Sequence, residues 1–384
     1  MINTDFGLKI AQVVAFATSF PVKQGVTLGI GRAVKRDALI VKVTTENGLV
    51  GWGEAHHGRA PGAVAQLINT TLRQLVVGMD ASDVVGVWNR IYSRQLISHG
   101  MGQACALAMS GVDLALWDIR GKAVGWPVYK LLGGSSKPIP AYAGGISLGF
   151  QPPDELVEEA RRLVGEGYRA IKLRFGDSAM RDIERLTAIR KALGNALVVM
   201  VDANTGYTPA DVRVVLPAMA ELGVLWLEEP FAPHDYRSYR QAAALGKVPL
   251  AAGENHFTRF EFNRLIAEGA VQILQPDVSK AGGITEVMRI AAMASAEKLP
   301  IHPHTLASGL NMAASMHLLC AIDNAGYFEA DVAKENLFRD LLTNRPDVLD
   351  ENGCVRPPET PGLGIEVDEK FLASHPVIEG PAYV

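Results

Sequence analysis

The stretch LVVMVDANTGYTPADVRVVLPAMAELGVLWLEEP, residues 197–230, contains two apolar runs separated by a helical pattern. Asp202 follows the first run and Glu228 the second. Thr208 is placed to cap the start of the helix, and Gly223 follows its end. Runs that are apolar throughout, without alternation, are typical of strands buried on both faces of a parallel sheet. The stretch therefore predicts a strand, helix and strand of one parallel sheet.

The same unit recurs on both sides of this stretch. Its further apolar runs are PIPAYAGG (138–145), AIKLR (170–174), VPLAAGEN (248–255), VQILQPD (271–277), LPIHPH (299–304) and GYFE (326–329). Helical patterns between the runs include residues 182–193 and 285–299. Eight strands alternating with seven helices predict an α/β fold, a (β/α)₇β TIM-type barrel.

One polar side chain follows each of five successive runs, namely Asp202, Glu228, Glu254, Asp277 and His304. By subtraction the intervals are 26, 26, 23 and 27 residues, the length of one strand and one helix with their loops. The carboxyl ends of barrel strands meet at one rim, so these five side chains are expected to converge on one site.

The chain has 384 residues, more than the roughly 250 of one barrel. Its first part contains a hairpin pattern at 38–55 that turns at Asn47 and Gly48, followed by helical patterns, the longest at 103–125. Strands followed by helices without regular alternation predict a separate α+β domain. We place it at 1–132, the barrel at 133–345 and a C-terminal segment at 346–384.

Composition excludes several classes of partner. The net charge is −4 with both signs interspersed, so neither nucleic acid nor a membrane surface is an expected partner. The chain has no apolar run of about 18 residues and no signal-peptide pattern at its start. Cys105, Cys320 and Cys354 are a sparse, odd set that suits buried thiols in a reducing compartment. We predict a soluble cytoplasmic protein.

Three of the strand-end side chains form a predicted metal site. Asp202, Glu228 and Glu254 would repel one another in a shared cavity unless a cation neutralised them. Ligation by oxygen alone favours Mg²⁺, with Mn²⁺ as a substitute. Asn204 can offer its amide to substrate or to a water on the metal. Glu229 alternates faces with Glu228, so we assign Glu228 to the metal and expect Glu229 in a salt bridge.

Lys172 and Arg174 lie two residues apart on one strand and so face the same side. The lysine can bind a substrate carboxylate or act as a general base. Arg174 is a poor proton acceptor and suits binding of a carboxylate or an enolate. An ion pair of these residues with Glu228 or Glu254 in the barrel wall remains an alternative.

His304 is the predicted catalytic base. A carboxylate such as Asp277 that holds one imidazole nitrogen fixes the tautomer and raises the basicity of the ring. His302, two residues earlier, makes the assignment ambiguous, and it is the expected pairing with Asp277 that favours His304. Glu329, at the end of the last strand, can exchange a hydrogen bond with substrate or cap the barrel.

The ordered motifs AIKLR, VDAN, WLEEP, AAGEN, QPDVSKAGG, HPH and YFE resemble the mandelate racemase subgroup of the enolase superfamily. The resemblance covers nearly the whole chain, because GVDLALWDIRGKAVGWPVYKLLGG precedes these motifs and PGLGIEV follows them. It implies magnesium ligation by Asp202, Glu228 and Glu254, a dyad of His304 with Asp277, and an acid at Glu329 near the substrate carboxylate. Lys172 and Arg174 occupy a strand that usually reads Lys-x-Lys.

The resemblance also implies an N-terminal domain that caps the barrel mouth, completed by the C-terminal segment. Its loops at about 18–32 and 54–62 would select the substrate, and the second loop holds His56 and His57. Dimers to octamers are usual in this subgroup, so a homo-oligomer is expected.

The shared chemistry that the resemblance implies is removal of the proton α to a carboxylate. Racemisation needs a proton acceptor on each face of the enolate, and Arg174 is a poor one. We therefore predict dehydration of an acid sugar, an aldonate or aldarate, to a 2-keto-3-deoxy acid. A racemase or epimerase that uses Lys172, a cycloisomerase of a sugar-acid lactone and a non-catalytic binding protein remain alternatives.

Overall fold

The computed structural model describes residues 7–340 and 345–384. The N-terminal part is an antiparallel three-stranded sheet with helices packed on it. Its elements are β1 (Ile10–Pro21), β2 (Thr27–Leu28), β3 (Gly31–Arg32), β4 (Lys35–Thr45), β5 (Val50–Ala55), α1 (Pro61–Gln66), α2 (Arg73–Val76), α3 (Val84–Ile91), α4 (Gln103–Val124) and α5 (Val128–Leu131).

The predicted hairpin and long helix of this part are confirmed. β4 and β5 pair in antiparallel fashion around Asn47 and Gly48, and Gly48 adopts φ +84° as such a turn requires. α4 packs directly on β5. A side chain at Gly53 would place a Cβ 2.2 Å from the Gly111 carbonyl oxygen, so this close packing requires glycine. β5 ends at Ala55 and leads into the segment that begins with His56.

The second part is a curled parallel sheet surrounded by helices, in the strand order β11-β10-β9-β8-β7-β6-β12. Its strands are β6 (Ile139–Gly144), β7 (Ala170–Arg174), β8 (Val198–Asp202), β9 (Val224–Glu228), β10 (Leu250–Ala252), β11 (Ile273–Leu274) and β12 (Phe328–Asp331). Its helices are α6 (Pro153–Gly165), α7 (Ala179–Leu193), α8 (Pro209–Glu221), α9 (Tyr236–Ala243), α10 (Thr258–Ala267), α11 (Gly283–Ala296) and α12 (Gly309–Ala321). This is the predicted (β/α)₇β arrangement, apart from one strand.

The seventh predicted strand, residues 299–304, is reduced to a single bridging residue. Ile301 bridges Leu274 on one side and Ala325 on the other, both in parallel fashion. Pro300 and Pro303 have no N–H to donate to a neighbouring strand, so a longer ladder cannot form here. The prediction of a full strand was wrong, although Ile301 still bridges β11 and the segment that precedes β12.

The predicted helix bounds agree with the structure to within about three residues. The helix predicted at 182–193 is α7, Ala179–Leu193, which ends where predicted and starts three residues earlier. Thr208 forms the predicted cap of α8, as part of a capping box with Asp211. α11 was predicted at 285–299 but spans Gly283–Ala296. It ends early because Lys298 adopts φ +59°, a left-handed conformation that cannot continue a helix.

The C-terminal segment contacts both parts. The barrel part ends with α13 (Leu337–Asp340). The C-terminal segment contains β13 (Cys354–Val355) and α14 (Glu369–Ser374). β13 pairs with β6, the Leu363 N–H donates to Asp118 on α4 at 2.8 Å, and the Arg32 N–H donates to the Val384 carbonyl at 2.7 Å. These contacts support the proposed return of residues 346–384 to the N-terminal domain. The domain boundaries at 132 and 345 stay a prediction. None of the helices in the described ranges has the length and apolar composition needed to cross a bilayer.

His317 on α12 links this segment to the barrel and makes stability depend on pH. It is fully buried, its Nδ1 accepts the Tyr129 N–H at 3.3 Å, and its Nε2 lies 3.2 Å from the Leu363 carbonyl. Burial lowers the pKa of His317 to about 4. Between pH 6.5 and 4 the unfolded chain therefore binds a proton that the folded chain does not, and the unfolding free energy falls as the pH falls.

We expect this residue to contribute about 3 kcal/mol of stability that is present above pH 6.5 and lost towards pH 4. Urea unfolding of the wild type and of His317→Gln at pH 7 and pH 4.5 measures it. The variant should lose less stability between the two pH values. An equal loss in both proteins would show that His317 does not titrate in this way.

Candidate active site

Three carboxylates meet at the carboxyl ends of neighbouring strands. Asp202 and Glu228 end β8 and β9, and Glu254 follows β10. One oxygen from each lies within 4.8 Å of the others. Carboxylate oxygens at this spacing suit a hard divalent cation, which would also remove their mutual repulsion. The predicted metal-ligand set is therefore brought together.

Glu228 is held by three hydrogen-bond donors. Lys172 Nζ donates to Oε1 at 2.8 Å, while Trp226 Nε1 at 3.2 Å and Gln275 Nε2 at 2.7 Å donate to Oε2. Burial raises the pKa of Glu228 to about 7, although the charge of Lys172 opposes this shift. Trp226 and Gln275 were not identified from the sequence, yet they fix the orientation of this carboxylate.

Lys172 lies below the carboxylates, completely buried in the barrel. Its Nζ is 2.8 Å from Glu228 and 2.8 Å from Glu329. Burial disfavours its charge, but these two carboxylates outweigh that effect, so the pKa of Lys172 is raised. The alternative of an ion pair in the barrel wall is thus the arrangement found for this residue.

The side chain of Arg174 is also held by hydrogen bonds. Its guanidinium donates to the Asp202 carboxylate and to the Gly145 carbonyl, and lies 3.4 Å from Asn204 Oδ1. Asn204 in turn donates to both oxygens of Asp202, from its backbone N–H at 2.8 Å and from its side chain at 3.1 Å. Asn204 therefore orients one of the three carboxylates, and it also faces the cavity described below.

The predicted contact of His304 with Asp277 is present. His304 Nδ1 lies 2.7 Å from Asp277 Oδ2, and its Nε2 lies 3.0 Å from Glu254. The second oxygen of Asp277 accepts from the Ser279 N–H at 2.7 Å and from Asn311 Nδ2 at 3.0 Å. Burial lowers the pKa of His304, but Glu254 and Asp277 outweigh it and the net shift is upward. Nδ1 therefore faces a fixed acceptor, which leaves Nε2 for proton transfer.

Glu329 lies on β12, with Oε1 2.8 Å from Lys172 Nζ. Its carboxylate also accepts the Gly145 N–H at 3.1 Å. Burial raises its pKa, but the charges of Lys172, His304 and Arg174 outweigh burial and lower the pKa to about 2. Glu329 is therefore ionised at neutral pH and acts as an acceptor.

A cavity of about 380 Å³ lies above the carboxylates, between the barrel and the segment that follows β5. Of the predicted residues, His304, Glu254, Asn204, His56 and His57 line it. The sequence did not single out Arg59, Asn255, Lys280 and Tyr383, which also line it, and it assigned Glu229 to a salt bridge instead. Tyr383 lies close to the end of the chain, so no local pattern places it here.

The histidines His56 and His57 are held as neutral rings. Their planes stack at 4.3 Å, His56 Nδ1 accepts the Gly58 N–H at 3.0 Å, and His57 Nδ1 accepts the Arg59 N–H at 3.0 Å. Burial lowers the pKa of both rings, that of His57 to about 3. Because Nδ1 is the acceptor, the hydrogen is on Nε2 in each ring. The backbone N–H of His56 donates to the Ser279 carbonyl at 2.9 Å and anchors the segment to the barrel.

The expectation of a salt bridge at Glu229 was wrong. No cationic group of the described residues lies within ion-pair distance of it; its carboxylate accepts from Asn255 Nδ2 at 2.7 Å. Glu229 adopts φ +36°, so the alternation of strand side chains ends at Glu228. Both glutamates are consequently buried at the site, and burial raises the pKa of Glu229.

Lys280 is a further cation of the site. It is buried, and its Nζ lies 3.6 Å from Glu254 Oε1. It stands one turn after Asp277, whose carbonyl accepts the Lys280 N–H at 3.0 Å. The motif QPDVSK therefore contains a signal for this residue, because a turn after a strand-end aspartate returns the third residue to the same rim.

Family models match both parts of the chain. Residues 155–371 match the model described as enolase C-terminal domain-like, and residues 10–133 match the N-terminal domain of mandelate racemase and muconate lactonizing enzyme. The chain belongs to the enolase superfamily. The resemblance seen in its motifs is thereby confirmed, together with the two-domain fold class.

Characterised superfamily members similar to this chain include dehydratases and a cycloisomerase. It is 35% identical to an arabinonate dehydratase of Saccharolobus solfataricus, over 87% of this chain and 92% of the relative. It is 34% identical to a D-galactonate dehydratase of Ralstonia pickettii, over 87% and 90%. A D-galactarolactone cycloisomerase of Agrobacterium fabrum is 32% identical, over 88% and 91%.

Solved structures of the superfamily share the whole fold. A member of the enolase superfamily from Polaromonas sp. JS666 has a TM-score of 0.96 and 54% identity, covering 98% of this chain and 100% of its own. A racemase from Streptomyces coelicolor A3(2), solved with bound magnesium, has a TM-score of 0.88 and 29% identity, covering 96% and 100%.

Proposed function

We propose that this superfamily member is a magnesium-dependent acid-sugar dehydratase. It would remove the proton α to the carboxylate of an aldonate or aldarate, expel the 3-hydroxyl and yield a 2-keto-3-deoxy acid. The observation that carries the proposal is the placement of one imidazole. His304 faces the cavity beside the carboxylates, held from behind by Asp277, while Lys172 is paired below them. The dehydratases among its relatives support the same reaction.

Asp202, Glu228 and Glu254 would hold the Mg²⁺ ion, with Mn²⁺ as a substitute. Their spacing supports this role, and so does the magnesium bound in the racemase structure of Streptomyces coelicolor. A divalent cation held there would stabilise negative charge that develops on the substrate carboxylate. Lys172 and Arg174 add fixed positive charge beneath it, and Glu329 keeps Lys172 in place.

The proton steps involve His304. Its Nε2 takes the proton from C2 while Asp277 accepts the Nδ1–H and stabilises the imidazolium. The C3–O bond then breaks, and the departing oxygen takes the proton from Nε2 and leaves as water. The resulting enol converts to the 2-keto acid. Glu329, with its lowered pKa, holds no proton to donate, so one imidazole serves as base and then as acid.

Cycloisomerisation of a sugar-acid lactone is the second candidate. A cycloisomerase is among the similar relatives, and the reaction begins with the same proton abstraction. It would open the ring without loss of water. A racemase is less consistent with the site, because Lys172 is paired with two carboxylates and Arg174 is a poor acceptor.

A screen of aldonates and aldarates with Mg²⁺, read by a reagent that traps 2-keto acids, tests the reaction. We expect at least one acid sugar to give a trapped product, and chelation by EDTA to abolish it. Lactones should be included and followed by ring opening. Deuterium from solvent in recovered substrate, without any keto acid, would contradict dehydration and indicate an epimerase.

We further propose a cytoplasmic homo-oligomer, a dimer to octamer, that acts on a small-molecule carboxylate. The free state of Cys105, Cys320 and Cys354 is consistent with a reducing compartment.

A further inference from the structure

The cavity has a charged group on its cap side that the proposed reaction does not use. Arg59, in the segment after β5, lines the cavity together with His56 and His57. Its guanidinium carbon lies over the Tyr383 ring, 5.2 Å from the ring centroid. Within residues 7–340 and 345–384 its side chain has no carboxylate in ion-pair range and no hydrogen-bond acceptor.

The neighbouring cations are already neutralised. Arg36 pairs with Asp331, and Lys35 pairs with Asp37 at 3.2 Å. Lys280 lies 3.6 Å from Glu254. Arg59 thus differs from these three cations, because it is an exposed residue on the lining of the cavity and has no counter-charge among the described residues.

The backbone holds Arg59 in an unfavourable conformation. Its φ of +59° is left-handed, which glycine or asparagine adopts more easily than arginine. His57 maintains this turn, since its Nδ1 accepts the Arg59 N–H and its carbonyl accepts the Ala60 N–H at 2.9 Å. Backbone strain of this kind clusters at active sites and ligand-binding segments.

From this geometry we infer that Arg59 forms a subsite for a second carboxylate at the far end of the substrate. The inference rests on the proposed function and narrows its substrate class to diacids, the aldarates. A guanidinium binds a carboxylate through two parallel N–H donors. The contact with Tyr383 is made through the ring face, so it does not use these donors. The α-carboxylate of such a diacid would lie at the other end of the cavity, near Asp202, Glu228 and Glu254.

Binding of two non-reacting probes to the magnesium-loaded protein tests the subsite. 2-Hydroxyglutarate is a diacid, and 2,5-dihydroxypentanoate has a terminal hydroxyl in place of the second carboxylate. Neither has a 3-hydroxyl to lose. Calorimetry should show the diacid binding at least about tenfold more tightly than the monoacid. Equal affinities, or binding of neither probe, would overturn the inference.

Three variants test whether Arg59 causes the preference for the diacid probe. Arg59→Ala should lower the ratio of the two affinities by about tenfold, and Arg59→Lys should keep part of it because the charge remains. Arg73→Ala is the matched control, an exposed arginine on α2 that does not line the cavity, and it should keep the wild-type ratio. A preference that survives in Arg59→Ala would assign the second carboxylate to another residue.

Turnover separates this inference from the proposed function. If keto acids form but aldonates and aldarates that share stereochemistry react with equal kcat/KM, the dehydratase stands and the diacid subsite fails. If no acid sugar gives a keto acid while the preference for 2-hydroxyglutarate exists and disappears in Arg59→Ala, the subsite stands and the dehydratase fails.

Discussion

The His304→Asn variant is expected to lose about 10³-fold in kcat while magnesium and substrate still bind. Asparagine keeps a hydrogen-bonding group near Asp277 but cannot accept and return a proton. Lys172 cannot replace it, because its Nζ is paired with Glu228 and Glu329 at 2.8 Å each. The loss should therefore appear in kcat, with KM changed by a few-fold at most.

Steady-state kinetics with an acid sugar identified by the screen measure this effect. His234→Asn is the matched control, because His234 is exposed and lies outside the cavity lining. It should retain wild-type turnover. A His304→Asn enzyme that still turns over within about tenfold of the wild type would remove His304 from the role of base, since a general base contributes about 10²- to 10⁴-fold.

The Glu254→Gln variant is expected to weaken magnesium binding by about 100-fold or more. It removes one of three negative charges that lie within 4.8 Å of one another, and charge count is a main determinant of affinity for hard cations. Calorimetric titration of the purified protein with MgCl₂ gives the affinity directly, without need of a substrate.

Glu229→Gln provides the comparison within the same cavity. Glu229 is buried beside the carboxylates, yet its oxygens belong to no shared cluster with Asp202 and Glu254 among the described residues. We expect its substitution to change magnesium affinity by less than about threefold, since Glu229 supplies no oxygen to the cluster of Asp202, Glu228 and Glu254. Strong weakening by Glu229→Gln with none by Glu254→Gln would reverse the assignment of the ligands.

The rim residues could be predicted from the sequence because one rule governs them. Parallel strands end at the same edge, so Asp202, Glu228 and Glu254 had to meet once their strands were recognised, and the spacing of Asp277 and His304 extended the same rule. A capping residue such as Thr208 can also be predicted from local sequence, because its hydrogen-bond partner Asp211 is only three residues away.

The remainder of the site depends on features that local patterns do not contain. Pro300 and Pro303 reduce a predicted strand to the single bridging residue Ile301. The positive φ of Glu229 ends the alternation of side chains that was used to orient it. Arg59 and Tyr383 come together from the two ends of the chain, through packing of the C-terminal segment on the cap. Such contacts follow from the tertiary fold alone.

The central claim is that Asp202, Glu228 and Glu254 coordinate one divalent cation next to His304. Crystals grown with Mn²⁺ in place of Mg²⁺ test it most directly, because manganese gives an anomalous signal that water and sodium do not. We predict a single anomalous peak that touches all three carboxylates at roughly 2.1 Å, on the side of His304 that faces the cavity. Anomalous density that contacts none or only one of them, with Lys172 still paired to Glu228, would contradict the account.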